Sequence, residues 1–184
     1  MDNTDHSRKA FTIRAVRESD VEVFRQLRLE ALRSHPEAFG SDHDESAALP
    51  TSHWLERIRQ ADGNGNGLTC VAESDAGALV GMTGVVRDTG IKVAHNAFVW
   101  GVYVQPDWRG LGIGRELLNT CIKWAADRSV LFIRLAAVTT NTRAIQCYAR
   151  AGFETYGLQP QVIRANGRVY DELLMCKRLS RPVQ

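Results

Sequence analysis

The chain has 184 residues, 44% hydrophobic and 24% charged, which fits one globular domain with a sizeable core and requires no second one. Its 23 basic and 21 acidic residues are interleaved to a formal net charge of +2, which argues against a dedicated nucleic-acid binder. The opening "MDNTDHSRKA" lacks the apolar core of a signal peptide and no apolar run approaches bilayer length, so a soluble, cytoplasmic protein with no membrane partner is expected.

Residues 1–10 read as a flexible tail ahead of a single domain over 11–180. "FTIRAV" alternates as a first strand. Ser19 and Glu22 have capping-box spacing, and Phe24, Leu27 and Ala31 then recur at helical intervals, predicting a helix over about 20–34 that stops at His35-Pro36. "PEAFGSDHDESAALP" has no long period and reads as an acidic loop, followed by a shorter helix after Pro50 with Trp54, Leu55 and Ile58 on one side. "ADGNGNG", residues 61–67, is so rich in turn residues that it is assigned to neither neighbouring element. "LTCVAES" and "ALVGMTGVVRD" read as a strand hairpin, and "NAFVWGVYV" as a longer central strand.

A helix opening near Gly112 keeps Ile113, Leu117, Cys121 and Trp124 on one stripe. "VLFIRLAAV" is a buried strand, and "NTRAIQCYARAG" a short helix with Asn141 as its cap and Gly152 at its end. In "QVIRANGRVYDELLMCKRL", Asn166-Gly167 between two strand patterns signals a hairpin. The element order indicates an α/β fold with helices covering a mixed sheet. Cys70, Cys121, Cys147 and Cys176 show no metal-binding spacing and read as buried reduced thiols, so neither a metal nor a disulfide framework is expected.

Between the central strand and the helix near Gly112 stands "RGLGIG". A helix N-terminus offers unpaired N–H groups and the positive end of the dipole, and Gly110, Gly112 and Gly114 remove side chains that would keep a phosphate away. A dinucleotide fingerprint would need glycine at Arg115 or Leu117, and a Walker loop would need Gly-Lys followed by Ser or Thr, so both are excluded. The spelling Q/R-x-x-G-x-G/A from Arg109 to Gly114 does fit. It resembles the signature of the GNAT acyltransferase superfamily. "LAAVTTNTRAIQCYARAGFE" resembles that family's second signature, an Asn opening a helix, a Tyr seven residues later and a closing Gly-Phe, and "VYDELLMCKRL" is similar to its last strand.

The resemblance implies a mostly antiparallel sheet of six to seven strands, splayed at an acetyl-CoA site, with helices on both faces. By position, Val102, Tyr103 and Val104 would line the pantetheine arm with their backbone, and a backbone N–H near Val104 would stabilise the oxyanion. Arg109, Gly110, Leu111, Gly112, Ile113, Gly114 and Arg115 would wrap the pyrophosphate, and Asn141 and Tyr148 would follow the arm along one helix face. Seven residues span about two helical turns, which puts Asn141 and Tyr148 on one stripe. A phenol of pKa about 10 can protonate a departing thiolate of pKa about 8.5, the role expected of Tyr148. Cys147, about 100 degrees off that stripe, is expected to be structural.

Family members often carry a glutamate on the strand matching "NAFVWGVYV", which here has no carboxylate. The remaining base candidates are His95, His43, Asp44 and Glu45, and Glu45 acting through water is selected. The implied activity is transfer of acetyl from acetyl-CoA to a primary amine in a ternary complex, with a small-molecule amine preferred as acceptor. A peptide or protein amine, or an acyl-CoA-binding module without turnover, are the alternatives. The acceptor pocket would be built from the first helices, the loop near 36–50 and the last hairpin, with Trp54, Trp100, Tyr103 and Tyr170 available to line it. A homodimer is common in the family and is left open here.

Overall fold

A computed structural model describes residues 9–63 and 65–179. Most of the expected tail therefore lies outside the described residues, as does Asn64 of the Gly/Asn turn. Lys9, at the tail's end, is docked: its Nζ donates to the Asp107 carbonyl at 2.8 Å and stands 5.1 Å above the Trp108 ring.

In chain order the elements are β1 (Phe11–Ala15), α1 (Val21–Ser34), α2 (His43–Ala47), α3 (Thr51–Gly63), β2 (Gly67–Ser74), β3 (Leu79–Arg87) and β4 (Asn96–Val104). Then come α4 (Ile113–Ala126), β5 (Phe132–Val138), α5 (Thr142–Arg150), β6 (Glu154–Ala165) and β7 (Arg168–Arg178). The predicted order holds, with three local corrections. Ser19 does not cap α1: a 3-10 turn over Glu18–Asp20 precedes it, and Asp20 closes that turn by accepting the Arg17 N–H at 2.7 Å while also binding Arg14. The acidic loop contains α2, nucleated because the Asp42 carboxylate accepts the amides of Asp44 and Glu45 at 2.8 and 3.0 Å. The Gly/Asn turn is shorter than read, since α3 runs on to Gly63 and β2 begins at Gly67.

The seven strands form one sheet in the order β1-β2-β3-β4-β5-β7-β6. Every neighbouring pair is antiparallel except β4 with β5. Helices cover both faces. On one, α4 buries Ile113, Leu117, Leu118, Cys121 and Trp124 against Cys70, Ala72, Val85, Val99 and Leu135, joined by Tyr148 and Phe153. On the other, Phe24, Leu27 and Ala31 of α1 and Trp54 and Ile58 of α3 pack on Val71, Met82 and Tyr103. Cys70 and Cys121 are buried, whereas Cys147 and Cys176 are only half-buried, which corrects the expectation for those two. No described helix is long and apolar enough to cross a membrane.

The parallel pair is short. β4 meets β5 only at Asn96, Ala97 and Phe98, opposite Phe132, Ile133 and Arg134. Beyond Phe98 the strands part, while β4 remains paired to β3 and β5 to β7. The register between β3 and β4 shifts between Met82 and Gly84, so that Gly101 and Val102 together oppose Thr83. Gly101 sits at φ +68°, the backbone of a bulge that bends and twists its strand. The splay is thus written into β4 itself.

Leu117 is fully buried at the centre of the α4 interface. Leu117→Ala should lower unfolding free energy by about 2–5 kcal/mol in urea titrations, through lost transfer energy and the cavity left behind.

Candidate active site

The opening between β4 and β5 is bordered by three elements, each placed by local sequence. After β4 the chain makes a 3-10 turn over Pro106–Trp108, then enters α4 through Gly110, Leu111 and Gly112. Gly112 is the N-cap at φ +88° and Gly110 stands at φ +83°, conformations that L side chains rarely adopt. A Cβ at either position would meet no protein atom within 4 Å, so both face open space. Among the described residues, none of the six consecutive amides from Gly110 to Arg115 has a hydrogen-bond acceptor, and the first amide of this segment that bonds is Glu116, to the Gly112 carbonyl. Six free donors at the positive end of a 14-residue helix form a cradle for a polyanion.

The individual residues behave differently. Ile113 is buried and anchors the first helical turn in the core, while Leu111 and Arg115 are exposed. Gly114 packs ordinarily, its Cβ position lying 3.6 Å from the Cys147 Sγ. The Arg109 side chain folds back on β4, its Nε donating to the Val104 carbonyl at 2.9 Å and its Nη2 meeting His35 Nε2 at 3.1 Å. Tyr103 turns its side chain to the α1 face, where its hydroxyl donates to Glu30 at 2.7 Å; burial and that carboxylate push it up to about 12. Only its backbone can therefore serve the opening. Val102 and Val104 are half-buried beside the α4 core.

α5 forms the facing wall. Asn141 caps it by accepting the Ala144 amide at 3.2 Å, which leaves its Nδ2 without a partner among the described residues. Tyr148 is 7% exposed, its ring 6.4 Å from that of Phe153, and its hydroxyl makes no hydrogen bond among the described residues. Desolvation, with the neighbouring Cys147 second, raises its pKa further above the ordinary phenol range, so it is held protonated and can act only as an acid at neutral pH. Burial also raises the Cys147 thiol, which keeps it from being a thiolate nucleophile.

The base candidates scatter. His95 is exposed just ahead of β4, roughly 30 Å along the strand from Val104 at about 3.3 Å per residue, and is off the site. Asp44 and Glu45 are exposed on α2, and His43 holds Asp44 at 2.7 Å through Nδ1 and meets Arg33 at 3.1 Å through Nε2. Sequence reasoning missed a different carboxylate. Glu172 on β7 lies opposite Val138, at the end of β5 where the sheet has opened. It is half-buried, makes no hydrogen bond among the described residues, and desolvation raises its pKa. Its neighbour Leu173 packs on the α4 side, so by strand alternation Glu172 points to the α1 side.

On the α1 side a cleft of about 640 Å³ runs between the α1–α2 connection and the β6–β7 hairpin. Leu32, Phe39 and Asp42 line one wall and Val162 to Asn166 the other, which is where the acceptor pocket was expected. Trp100 stands at the α1–α3 interface, Trp54 is buried in the core beneath it, and Tyr170 is half-buried on β7. Among the described residues no group of three His, Cys, Asp or Glu is placed to hold a metal ion.

Comparison with known proteins accords with this geometry. The family profile described as "Acetyltransferase (GNAT) family" matches residues 24–153. A mycothiol acetyltransferase of Thermobifida fusca is 30% identical over 131 residues, 69% of this chain and 40% of that protein. The matches cover 28–62% of the length of the first three curated relatives, so the chain spans less than two thirds of each. Among solved structures, a GNAT-family acetyltransferase of Streptococcus pneumoniae superposes with a TM-score of 0.82 at 21% identity, covering 93% of this chain and all of that one. The yncA protein of Salmonella typhimurium, solved with its cofactor acetyl-CoA, gives 0.79 at 23% identity, covering 95% and 97%.

Removing the Asn141 cap should weaken α5 measurably. Asn141→Ala is expected to cost about 0.5–2 kcal/mol in denaturant unfolding, and Asn141→Asp to recover most of it, because the carboxylate can still accept the Ala144 amide.

Proposed function

The chain belongs to the GNAT acetyltransferase family, and on that premise we propose that it transfers an acetyl group from acetyl-CoA to a primary amine, preferably of a small molecule, by direct attack in a ternary complex. The observation that carries the reading is the run of six unpaired amides from Gly110 to Arg115 at the mouth of the splay. They fit a pyrophosphate: the two left-handed glycines leave the cradle open, and the helix dipole favours its charge. The backbone of Val102 and the Val104 N–H on β4, with the Val104 carbonyl held by Arg109, and the Asn141 amide on α5 would hold the pantetheine arm between them. Bound there, acetyl-CoA supplies an activated acetyl thioester.

The chain's own residues then manage protons. The amine nitrogen bonds to the acyl carbon, the C–S bond breaks, the ammonium proton leaves, and the departing sulfur gains one. Tyr148, kept protonated by burial, donates to sulfur. Deprotonating an alkylammonium of pKa about 10.4 near pH 7 costs about 4–5 kcal/mol, so an acceptor for that proton matters. We assign this role to Glu172 rather than Glu45. Glu45 is exposed on α2, whereas Glu172 is half-buried at the opening with its basicity raised by desolvation. A backbone N–H near Val104 is the donor for negative charge on the acyl oxygen.

Calorimetric titration with acetyl-CoA, followed by thiol-release assays over an amine panel, tests the reading. Tyr148→Phe should lower kcat by about 10²-fold with an unchanged Kd for acetyl-CoA, and an unchanged kcat would remove Tyr148 from the acid role. Wild-type activity should rise with pH through the raised pKa of Glu172, because only the carboxylate accepts a proton. Glu172→Gln should abolish that limb, and a limb that persists in the variant would return the base to another group.

A further inference from the structure

Arg28 stands in the apolar stripe of α1, four residues from Phe24 and four from Leu32, and is 5% exposed. Its guanidinium makes no hydrogen bond among the described residues, and its Nη1 is fully buried without a partner. Its guanidinium carbon stands over two aromatic rings, 4.7 Å from the centroid of Phe39 and 6.0 Å from that of Trp100. Arg57 of α3 covers the same indole at 4.5 Å and also forms no ion pair among the described residues. Trp100 itself is fixed, because its ring occupies the space a Cβ at Gly84 would need.

Elsewhere the fold answers half-buried arginines with carboxylates. Arg14 has Asp20 and Glu73, each at 2.6 Å, and Arg134 has Asp88 at 2.5 Å. Arg28 receives none among the described residues. Burial, with the charge of Arg57 second, lowers its pKa to about 10, and no anion offsets either effect. Two cations sharing one aromatic ring without a counter-ion is a costly arrangement that apolar side chains of similar length would avoid. Its Nη1 lies 3.3 Å from the Cβ position of Gly101, at the bulge where β4 leaves β5. Phe39, which covers Arg28, also lines the cleft beside the β6–β7 hairpin.

We propose that Arg28, with Arg57 beside it, holds a carboxylate of the acyl acceptor against Trp100, so that the enzyme acts on amines that also carry a carboxylate. This rests on the acetyltransferase reading above. The planar guanidinium fork matches a carboxylate with two parallel hydrogen bonds. An acceptor so anchored reaches Gly101, one residue from Val102 and the cofactor arm. The two cations also disfavour the ammonium form of the incoming amine, which assists its deprotonation.

The test pairs amino acids with their amides and with aminoalkyl phosphonates in thiol-release assays at saturating acetyl-CoA, using the wild type and Arg28→Met. The wild type should use carboxylates about 10- to 100-fold better than the matched amides in kcat/KM, mainly through KM, as expected for a charged hydrogen-bonding site. In Arg28→Met that ratio should collapse to about 1, and the thermal midpoint should stay level or rise because a buried unpaired charge is gone. The proposal is overturned if no carboxylate is preferred to its amide, if phosphonates are used better than carboxylates, or if Arg28→Met keeps the preference. A lower thermal midpoint in Arg28→Met would overturn it too, marking Arg28 as a packing element. Calorimetry with acetyl-CoA separates the two readings: cofactor binding without carboxylate preference contradicts this proposal alone, and no cofactor binding contradicts the acetyltransferase reading itself.

Discussion

The separation of β4 from β5 after Phe98 is the constraint on which the site depends. A sheet normally closes every gap between neighbouring strands, because unpaired backbone groups away from water are costly. Here the bulge at Gly101 turns β4 while its other edge stays bonded to β3, and β5 follows β7 instead. The two free edges and the helix ends beside them leave donors and acceptors without partners at the centre of the molecule. Such an arrangement persists because α4 on one face and α1 with α3 on the other hold the sheet rigidly from both sides.

That gap divides the chemistry in two. On the α4 side lie the unpaired amides of the glycine loop, the Asn141 cap and the protonated Tyr148. Across the sheet lie the cleft, the desolvated Glu172 and the arginine pair around Trp100. A donor bound on the first side and an acceptor on the second can meet only through the opening. On the proposed reading, proton donation and proton acceptance are likewise kept apart: burial holds Tyr148 protonated on one side and raises the basicity of Glu172 on the other.

What was legible in the sequence was what repeats or punctuates. The α4 stripe, the Asn166-Gly167 hairpin and the glycine loop each follow from a short-range rule, and the structure has all three. The features missed are those that tertiary packing creates. Gly101 is one glycine inside a strand pattern, and nothing local distinguishes a bulge from a weak strand position. α2 depends on the Asp42 carboxylate turning back on two amides, which composition alone reads as an acidic loop. Glu172 looks like any outward residue of a last strand until β5 is seen to end beside it. Arg28 did leave a signal, since it stands four residues after Phe24 and four before Leu32 in an otherwise apolar stripe, where a solvated arginine would be out of phase.

The measurement that tests the account most directly is amide hydrogen exchange with and without acetyl-CoA. The amides of Gly110 to Arg115 have no acceptor among the described residues, so they should exchange fast alone and become protected on binding, while the β6–β7 hairpin stays unchanged. Acetyl-CoA binding that protects other segments and leaves 110–115 exchanging freely would contradict the claim that this loop is the cofactor cradle.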